Sequence, residues 1–343
     1  MGATEAIRPR RFLFVLWDGG GNVPPQLAVA RRLVTRGHAV RILAPRVLEA
    51  RVAATGAEFV PYRQAPEHES AVPERDLLRD WAARTPLGAA ARVRDCVMLA
   101  PALAFARDVL GALEGEPADV VAPDYLLLGA YLGAERAGLP VAALIHHLYP
   151  LPAPGLPPFG QGFLPARGPA GRARDAVFGR LFARFYESGL ARLNAARAEL
   201  GLAPLASVFE LFARADRALV LTSRAFDFPA VALPANVRYV GPPFDGLAGE
   251  AAWAGPWPAD DRRPLVVASF STTFQRQADT VRRVIAALGT LPVRALVTAG
   301  PALDAADFGA PPNVVVAPYV PHREVFPRAA LVITHGGHAD LAA

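Results

Sequence analysis

Short runs of aliphatic and β-branched residues alternate along the first 225 residues with longer stretches whose apolar positions recur at helical spacing. The run RFLFVLW at 11–17 is typical of a buried strand, and the pattern over 25–36 is typical of a helix with one apolar face. Alternation of this kind favours a parallel α/β sheet. It predicts further strands at 38–43, 119–122, 141–145 and 217–222, and further helices at 87–113, 125–137, 172–200 and 204–213.

A second strand–helix alternation begins at residue 264. Between the two, residues 226–263 are rich in Pro, Gly, Trp and Asp and show no periodicity, which is typical of a linker between domains. We therefore predict two doubly wound, Rossmann-like domains, over 1–225 and 264–343, joined by the linker 226–263. The second alternation predicts strands at 264–269, 292–298, 313–316 and 330–334, and helices at 275–288 and 323–328.

A Pro- and Gly-rich segment at 148–171 interrupts the first alternation and is too long for a simple connector, which is typical of a functional or mobile loop. It overlaps the longest uncharged stretch, 137–166, whose seven prolines exclude a membrane helix there. The polar start of the chain leads directly into a predicted strand, so we do not expect a secretory signal. These features predict a cytoplasmic protein without a transmembrane segment.

Composition narrows the possible chemistry. Hydrophobic residues make up 52% of the chain and charged residues 20%, as in folded proteins. All 36 basic residues are Arg, and the lack of Lys excludes P-loop, Schiff-base and catalytic-Lys chemistry. The arginines are scattered through helical stretches such as 172–197, which predicts solvated helix faces and no nucleic-acid partner. Cys96, the only cysteine, excludes an internal disulfide and is predicted to be a buried apolar residue.

Four short motifs occur in order along the chain. GNVPPQLAVA at 21–30 forms the first turn and helix, NVRYVGP at 236–242 ends the first domain, and SFSTT at 269–273 follows the first strand of the second. The fourth is APYVPH at 317–322 with FPRAALVITHGGH at 326–338. Together they resemble the signature of macrolide-type and UDP-dependent glycosyltransferases, family 1, which have the GT-B fold. The resemblance implies two Rossmann-like domains facing one cleft, the first for the acceptor and the second for a nucleotide sugar.

The resemblance implies that the second domain binds an NDP-sugar whose nucleotide is UDP or dTDP. It also implies that the enzyme needs no cofactor. His335, Gly336 and Gly337 stand where the family contacts the diphosphate, whose charge a helix N-terminus and close backbone approach would stabilise. The chain has no acidic cluster to hold a metal ion, and a structural capping turn is the alternative role for His335. The resemblance also implies that the ring of Tyr319 stacks on the nucleotide base and that the backbone of Val320 contacts the edge of this base. It implies hydroxyl donors at Ser271, Thr272 and Thr273.

The residue that would take the proton from the acceptor hydroxyl departs from the family pattern. The resemblance implies a His in the first turn, oriented by an Asp, but Asn22 stands at the His position and an amide cannot act as a base. The Asp position matches Asp124, which could equally be an N-cap for the helix that follows. The nearest substitute base is Asp18, at the end of the first strand where such sheets bind ligands. His146 and His147, at the end of another strand, are the second candidates and lie on the acceptor side.

The chain departs from the family again after Gly337. The family continues with a Thr, a full helix, a Gly-Val-Pro turn and an Asp-Gln pair, whereas this chain has HADLAA at 338–343. Six residues cannot hold a helix against its nucleation cost. We therefore expect this segment to be frayed, and a transferase truncated here to show little or no sugar transfer. A fragment, a premature stop or a frameshift would each give this ending.

The resemblance implies a metal-independent enzyme that moves a hexose from a UDP- or dTDP-sugar to a hydroxyl of a small hydrophobic acceptor, with inversion. The apolar loop 148–171 and the helix 172–200 would form the acceptor side. Two alternatives remain. One is a nucleotide-sugar epimerase, which shares the architecture. The other is a non-catalytic pseudo-glycosyltransferase that binds and activates a complete transferase, a role that Asn22 favours.

Overall fold

The computed structural model describes residues 8–243, 253–258 and 260–337. Packing divides the chain into two units, and each contains a parallel sheet. The second unit includes two segments from the N-terminal part of the chain besides the C-terminal one. The first unit comprises Met1–Trp17, Pro25–Glu67 and Ala90–Pro243, and the second comprises Asp18–Pro24, His68–Ala89 and Phe244–Ala343.

The sheet of the first unit is wholly parallel. Its strands lie in the order β3-β2-β1-β4 and β5-β6-β7, and parallel bridges from Val121 to Val141 and from Asp124 to Leu144 join β4 to β5. The strand order therefore reverses between β1 and β4, and doubly wound sheets bind ligands at the carboxyl ends beside such a reversal. The described strands are β1 Arg11–Val15, β2 Ala39–Ala44, β3 Glu58–Pro61, β4 Val120–Pro123, β5 Ala142–Ile145, β6 Arg217–Val220 and β7 Val237–Tyr239.

The helices of the first 243 residues are more broken than the apolar pattern predicts. The predicted helix 87–113 is interrupted by a π-helical segment, Arg94–Leu99, and by Pro101, which lacks the N–H needed to continue it. The predicted helix 172–200 is two helices, with Gly189 between them in close contact with Leu99. The helices are α1 Val23–Thr35, α2 Glu49–Ala53, α3 Pro86–Val93, α4 Ala102–Gly115, α5 Leu128–Ala137, α6 Pro169–Glu187, α7 Leu190–Glu199 and α8 Glu210–Arg214.

Helices α4 and α5 pack closely because α5 has a glycine at the contact. A Cβ atom at Gly129 would overlap the backbone carbonyl of Ala102. The helical stretch Pro86–Gly115 is long and apolar enough to cross a membrane, with a mean hydropathy of 1.7 in its most apolar window. Half of that window is buried inside the protein, as in the core helix of a globular protein, so the stretch is weak evidence for a membrane span.

The predicted surroundings of two side chains in this unit, Arg197 and Cys96, are wrong. Arg197 does not lie on a solvated helix face: it is fully buried and forms a two-fold ion pair with Glu135 at 2.6 and 2.9 Å. Its Nε also donates to the carbonyl of Ala203 at 2.6 Å, so each of the three guanidinium nitrogens donates a hydrogen bond. Cys96 lies on the π-helical segment and is half-buried instead of buried.

The second unit also has a parallel sheet, in the order β10-β9-β8-β11. The strand order reverses between β8 and β11, so the carboxyl ends of these two strands lie side by side. Helix α9 buries Val281, Ile285 and Leu288 against the sheet. The elements are β8 Leu265–Ser269, α9 Ala278–Gly289, β9 Arg294–Thr298, β10 Val314–Ala317, α10 His322–Val325 and β11 Leu331–Thr334.

All nine predicted strands are present within two residues of their predicted bounds, in the two predicted sheets, and the doubly wound α/β prediction is confirmed. Two strands were not predicted. Both lie at sheet edges and are short: β3 ends in Pro61, and β7 has three residues and lies within the predicted linker 226–263. The predicted helix 125–137 begins only at Leu128, after a turn at Asp124. The helix predicted at 204–213 is shorter and shifted, Glu210–Arg214.

Candidate active site

Asp124 is the centre of the polar cluster in the first unit. It follows β4, and its backbone N–H donates to the carbonyl of Val15 on β1 at 2.9 Å. Its side chain is completely buried. The Oδ1 atom accepts a hydrogen bond from the N–H of Leu126 at 3.0 Å. The Oδ2 atom accepts one from Gln26 Nε2 at 2.5 Å and lies 3.4 Å from His146 Nδ1. Asp124 therefore stabilises the turn that precedes α5 and also pairs with a histidine.

His146 and His147 follow β5 and have different surroundings. The Nδ1 atom of His146 is buried and lies 3.4 Å from Asp124 Oδ2, but among the described residues it has no hydrogen-bond partner. In His147, Nε2 lies 2.8 Å from the Tyr125 hydroxyl and Nδ1 lies 2.6 Å from the carbonyl of Leu148. Burial and the negative charge of Asp124 raise the pKa of Tyr125 well above its ordinary value, so this hydroxyl stays protonated. The two histidine rings are 4.7 Å apart between centroids.

Two apolar cavities lie in the loop that the sequence predicts as the acceptor side. Their volumes are about 200 Å³ and about 300 Å³. Phe159 lines both and stacks on His147 with a centroid distance of 5.1 Å, which places His147 beside the cavity walls. Tyr149 also lines both cavities, and burial raises its pKa to about 12. The loop therefore offers space for an apolar molecule next to polar side chains.

The turn after β1 belongs to the second unit and is held by its own side chains. Asp18 is buried, and its Oδ1 accepts from the N–H of Gly20 at 3.2 Å. Its Oδ2 accepts from the N–H and the hydroxyl of Ser70 at 2.9 and 3.1 Å. The Oδ1 atom of Asn22, also buried, accepts from the N–H of Gly19 at 3.0 Å. Both polar side chains therefore stabilise the turn itself.

The same turn lies against the hydroxyl loop that follows β8. Gly20 has a φ of +70°, and a Cβ atom there would lie 2.6 Å from Thr272 Oγ1 and 2.7 Å from a methyl group of Thr273. Within the loop, Ser271 Oγ and Thr273 Oγ1 are 2.9 Å apart, and Gln275 Nε2 donates to Thr273 Oγ1 at 3.2 Å. Ser271, Thr272 and Thr273 are thus held in one compact turn.

The other predicted donor residues lie at the same edge of the second sheet. The register pairs Thr334 of β11 with Ser269 of β8, which brings His335 and Gly336 beside the start of the hydroxyl loop. Gly336 has a φ of +84°, which glycine adopts without strain, and both it and His335 are exposed. After β10, Tyr319 is 61% exposed, whereas the side chain of Val320 is buried in the core. The exposed ring of Tyr319, the turn at His335 and Gly336, and the hydroxyl loop thus share one edge of the sheet.

Comparisons with known proteins decide the family. No family model matches the chain. It is 31% identical to the 4'-demethylrebeccamycin synthase of Lentzea aerocolonigenes, over 96% of this chain and 79% of that protein. It is 28% identical to the oleandomycin glycosyltransferase of Streptomyces antibioticus, over 92% of this chain and 67% of that protein. The chain belongs to the antibiotic glycosyltransferases.

A solved structure supports the GT-B fold of this glycosyltransferase. The glycosyltransferase SsfS6 of Streptomyces sp. SF2575, complexed with thymidine diphosphate, matches it with a TM-score of 0.59. That match covers 97% of this chain and 78% of the other, at 18% sequence identity. The resemblance noted in the sequence is therefore confirmed for family and fold, and the protein is an enzyme of the sugar-transferring class.

In this glycosyltransferase the structure gathers the predicted residues into two groups. Asp124, His146 and His147 form one in the first unit. Asp18 and Asn22 hold the turn that lies against the hydroxyl loop in the second unit. Among the described residues, no group of three His, Cys, Asp or Glu side chains could hold a metal ion. Residues 338–343, including the predicted frayed end, lie outside the described residues.

Sequence reasoning missed Gln26 and Ser70, which bind the two aspartates. Gln26 lies in the first-turn motif, four residues after Asn22, so the motif itself contained the signal. Ser70 lies in a segment with no motif, and only the folded chain brings it to Asp18.

Proposed function

We propose that this glycosyltransferase moves a hexose from a UDP- or dTDP-linked donor to a hydroxyl of a small hydrophobic acceptor, with inversion and without a metal ion. The observation that supports it most is the edge of the second sheet at the ends of β8, β10 and β11. There the hydroxyl loop, an exposed tyrosine and the His335–Gly336 turn lie at the same side of a strand-order reversal.

Each element of this edge suits a nucleoside diphosphate. The exposed ring of Tyr319 offers a face on which a base can stack. The backbone N–H groups of a glycine-rich turn and the hydroxyls of Ser271 and Thr272 donate to phosphate oxygens. These interactions strengthen as negative charge develops on the leaving diphosphate, which is what catalysis requires. SsfS6, a neighbour in fold, is itself complexed with thymidine diphosphate.

The acceptor is proposed to bind in the first unit. The cavities of about 200 and 300 Å³ have walls formed by prolines and aromatic residues, including Phe159 and Phe163 or Phe182, which favour an apolar molecule. A single displacement at the anomeric carbon by an acceptor oxygen inverts its configuration, and this requires only a base for the acceptor proton.

The test is transfer by the purified 343-residue protein. It is incubated with UDP- and dTDP-hexoses and a panel of hydrophobic alcohols, and free NDP and glycosylated product are measured. Acceptor-dependent NDP release, with a product of inverted anomeric configuration by NMR, supports the proposal. Tight NDP-sugar binding without NDP release supports the non-catalytic alternative, and neither binding nor release contradicts the donor site.

A further inference from the structure

We infer that His146, positioned by Asp124, is the general base that deprotonates the acceptor hydroxyl, in place of the first-turn histidine whose position Asn22 occupies. The inference rests on the proposed function. The base His146 and its positioning residue Asp124 both lie in the first unit.

The two side chains are brought together by the sheet. Strands β4 and β5 are parallel neighbours, joined by the bridge between Asp124 and Leu144, and His146 is two residues after Leu144. Asp124 Oδ2 and His146 Nδ1 are 3.4 Å apart. This is longer than an ordinary hydrogen bond of about 2.7–3.2 Å, but catalytic hydrogen bonds often tighten only when the substrate binds.

The proximity of Asp124 determines which ring nitrogen of His146 can accept a proton. A carboxylate only accepts hydrogen bonds, so a neutral imidazole facing it holds its proton on Nδ1. The Nδ1 atom is buried, has no hydrogen-bond partner among the described residues, and lies 3.4 Å from this carboxylate, which is the acceptor within reach when the site tightens. The lone pair of the imidazole then lies on Nε2, which is the arrangement a general base needs.

Neighbouring groups hold the Asp124 carboxylate in place. Gln26 Nε2 donates to Oδ2 at 2.5 Å and the N–H of Leu126 donates to Oδ1 at 3.0 Å. The other titratable groups beside His146 are the rings of Tyr125, at 5.7 Å, and His147, at 4.7 Å. Tyr125 stays protonated because burial raises its pKa. Asp124 and Gln26 are therefore positioning residues in this scheme.

The other candidate bases, His147 and Asp18, already have hydrogen-bond partners at both of their polar atoms. Both ring nitrogens of His147 lie within hydrogen-bond distance of neighbours, the Tyr125 hydroxyl and the carbonyl of Leu148. Both carboxylate oxygens of Asp18 accept hydrogen bonds, from Gly20 and Ser70. His147, whose ring centroid is 4.7 Å from that of His146, stacks on Phe159 of the cavity walls.

The Nε2 atom of His146 takes the proton from the acceptor hydroxyl while the acceptor oxygen forms a bond to the anomeric carbon of the sugar. The bond from that carbon to the phosphate oxygen breaks, and the NDP leaves with the electron pair. Asp124 stays ionised and stabilises the imidazolium, which later releases the proton to solvent.

The kinetic test compares His146→Gln with His38→Gln. His38 lies at the opposite, amino end of the sheet, where Nδ1 accepts from the N–H of Arg10, so its variant controls for loss of a histidine. We expect His146→Gln to lower kcat by about 100-fold or more with an aliphatic alcohol acceptor, and to flatten the acidic side of the pH profile. An acidic acceptor such as 4-nitrophenol needs no base, so the variant should transfer to it nearly as fast as wild type.

Wild-type transfer together with an unchanged rate and pH profile in His146→Gln contradicts this inference and leaves the proposed function intact. A larger loss in Asp18→Asn, with the pH profile kept in His146→Gln, also overturns it. Absence of transfer by the wild-type protein to every acceptor contradicts the proposed function and, with it, a base role for His146.

A measurement independent of turnover examines the pair itself. ¹⁵N NMR of histidine-labelled protein at neutral pH, with the His146 signal assigned by its loss in His146→Gln, reports which nitrogen holds the proton. We expect the Nδ1–H form in wild type and a shift towards Nε2–H in Asp124→Asn. An Nε2–H form in the wild-type protein contradicts the inference whatever the activity.

Discussion

Asp124 and His146 face each other from the carboxyl ends of neighbouring parallel strands, with Oδ2 and Nδ1 3.4 Å apart and the carboxylate completely buried. An ionised group at such a depth is stable only with hydrogen-bond donors around it. Gln26 and the N–H of Leu126 supply them. Both oxygens of the buried Asp124 carboxylate thus accept a hydrogen bond from a neighbour.

The role of Gln26 gives the first prediction. Replacing it by Met keeps the side-chain volume but removes the 2.5 Å hydrogen bond to Asp124. Hydrogen bonds to a charged group contribute about 1.5–3 kcal/mol, so we expect kcat to fall roughly tenfold or more, with donor affinity unchanged. Gln64→Met is the matched control, because the Gln64 side chain is exposed. Equal kcat values in the two variants, measured by steady-state kinetics, would show that Gln26 does not position the carboxylate.

The second prediction concerns the contact between the first turn and the hydroxyl loop. Gly20→Ala places a methyl group 2.6 Å from Thr272 Oγ1 at a φ of +70°, so the loop must shift. We expect weaker binding of UDP or dTDP and a lower Tm. Gly21→Ala is the control, since a Cβ atom there meets nothing within 4 Å. Isothermal titration and thermal unfolding check both, and equal affinities would mean that the turn does not support the donor loop.

The third prediction tests the buried ion pair. Arg197→Ala leaves Glu135 without its two-fold partner and the carbonyl of Ala203 without a donor. Because Glu135 is partly exposed and keeps Arg214, we expect a loss of about 2 kcal/mol, below the usual cost of breaking a buried pair. Arg214→Ala, at the exposed end of the same cluster, should cost less than about 1 kcal/mol. Urea unfolding measures both, and the reverse order would contradict this account.

The fourth prediction is a pH dependence of stability from His68. Burial lowers the pKa of this histidine, although Asp76 and Asp18 oppose the effect. A lowered pKa in the folded state stabilises the fold above the unfolded value of about 6.5, and that contribution is lost as the pH falls. Between pH 7.5 and 5.5 the wild-type Tm should therefore fall more than that of His68→Gln. Parallel Tm curves would show that His68 titrates alike in both states.

The sequence predicted the central strands of both sheets because their apolar runs are long and unbroken. It missed β3 and β7, which are short edge strands with a proline or with only three residues. Breaks in α3–α4 and in α6–α7 were missed because their apolar periodicity continues across Pro101 and Gly189.

For the candidate site, motif positions indicated Asp124 and the donor residues, and strand ends indicated His146. The spacing of residues along the sequence could not show which side chains bind to these residues. Ser70 reaches Asp18 from a segment 52 positions away, and Gln26 reaches Asp124 across 98 positions. Arg197 looked like one more solvated arginine because its partner, Glu135, is 62 positions away on another helix. Whether a polar side chain is paired depends on tertiary packing, which periodicity does not report.

The central claim is an NDP-sugar site at the ends of β8, β10 and β11, and sugar transfer with Tyr319→Ala as comparison tests it most directly. The wild-type protein and the variant are incubated with UDP- and dTDP-hexoses and hydrophobic alcohols, and NDP binding, NDP release and glycosylated product are measured together. Loss of base stacking should weaken donor binding by about 1–3 kcal/mol, which is roughly 5- to 150-fold in Kd. The account predicts that the wild type binds NDP and that the variant binds it more weakly by this factor. A wild-type protein that neither binds NDP nor releases it, or a variant with unchanged donor affinity, would contradict the account.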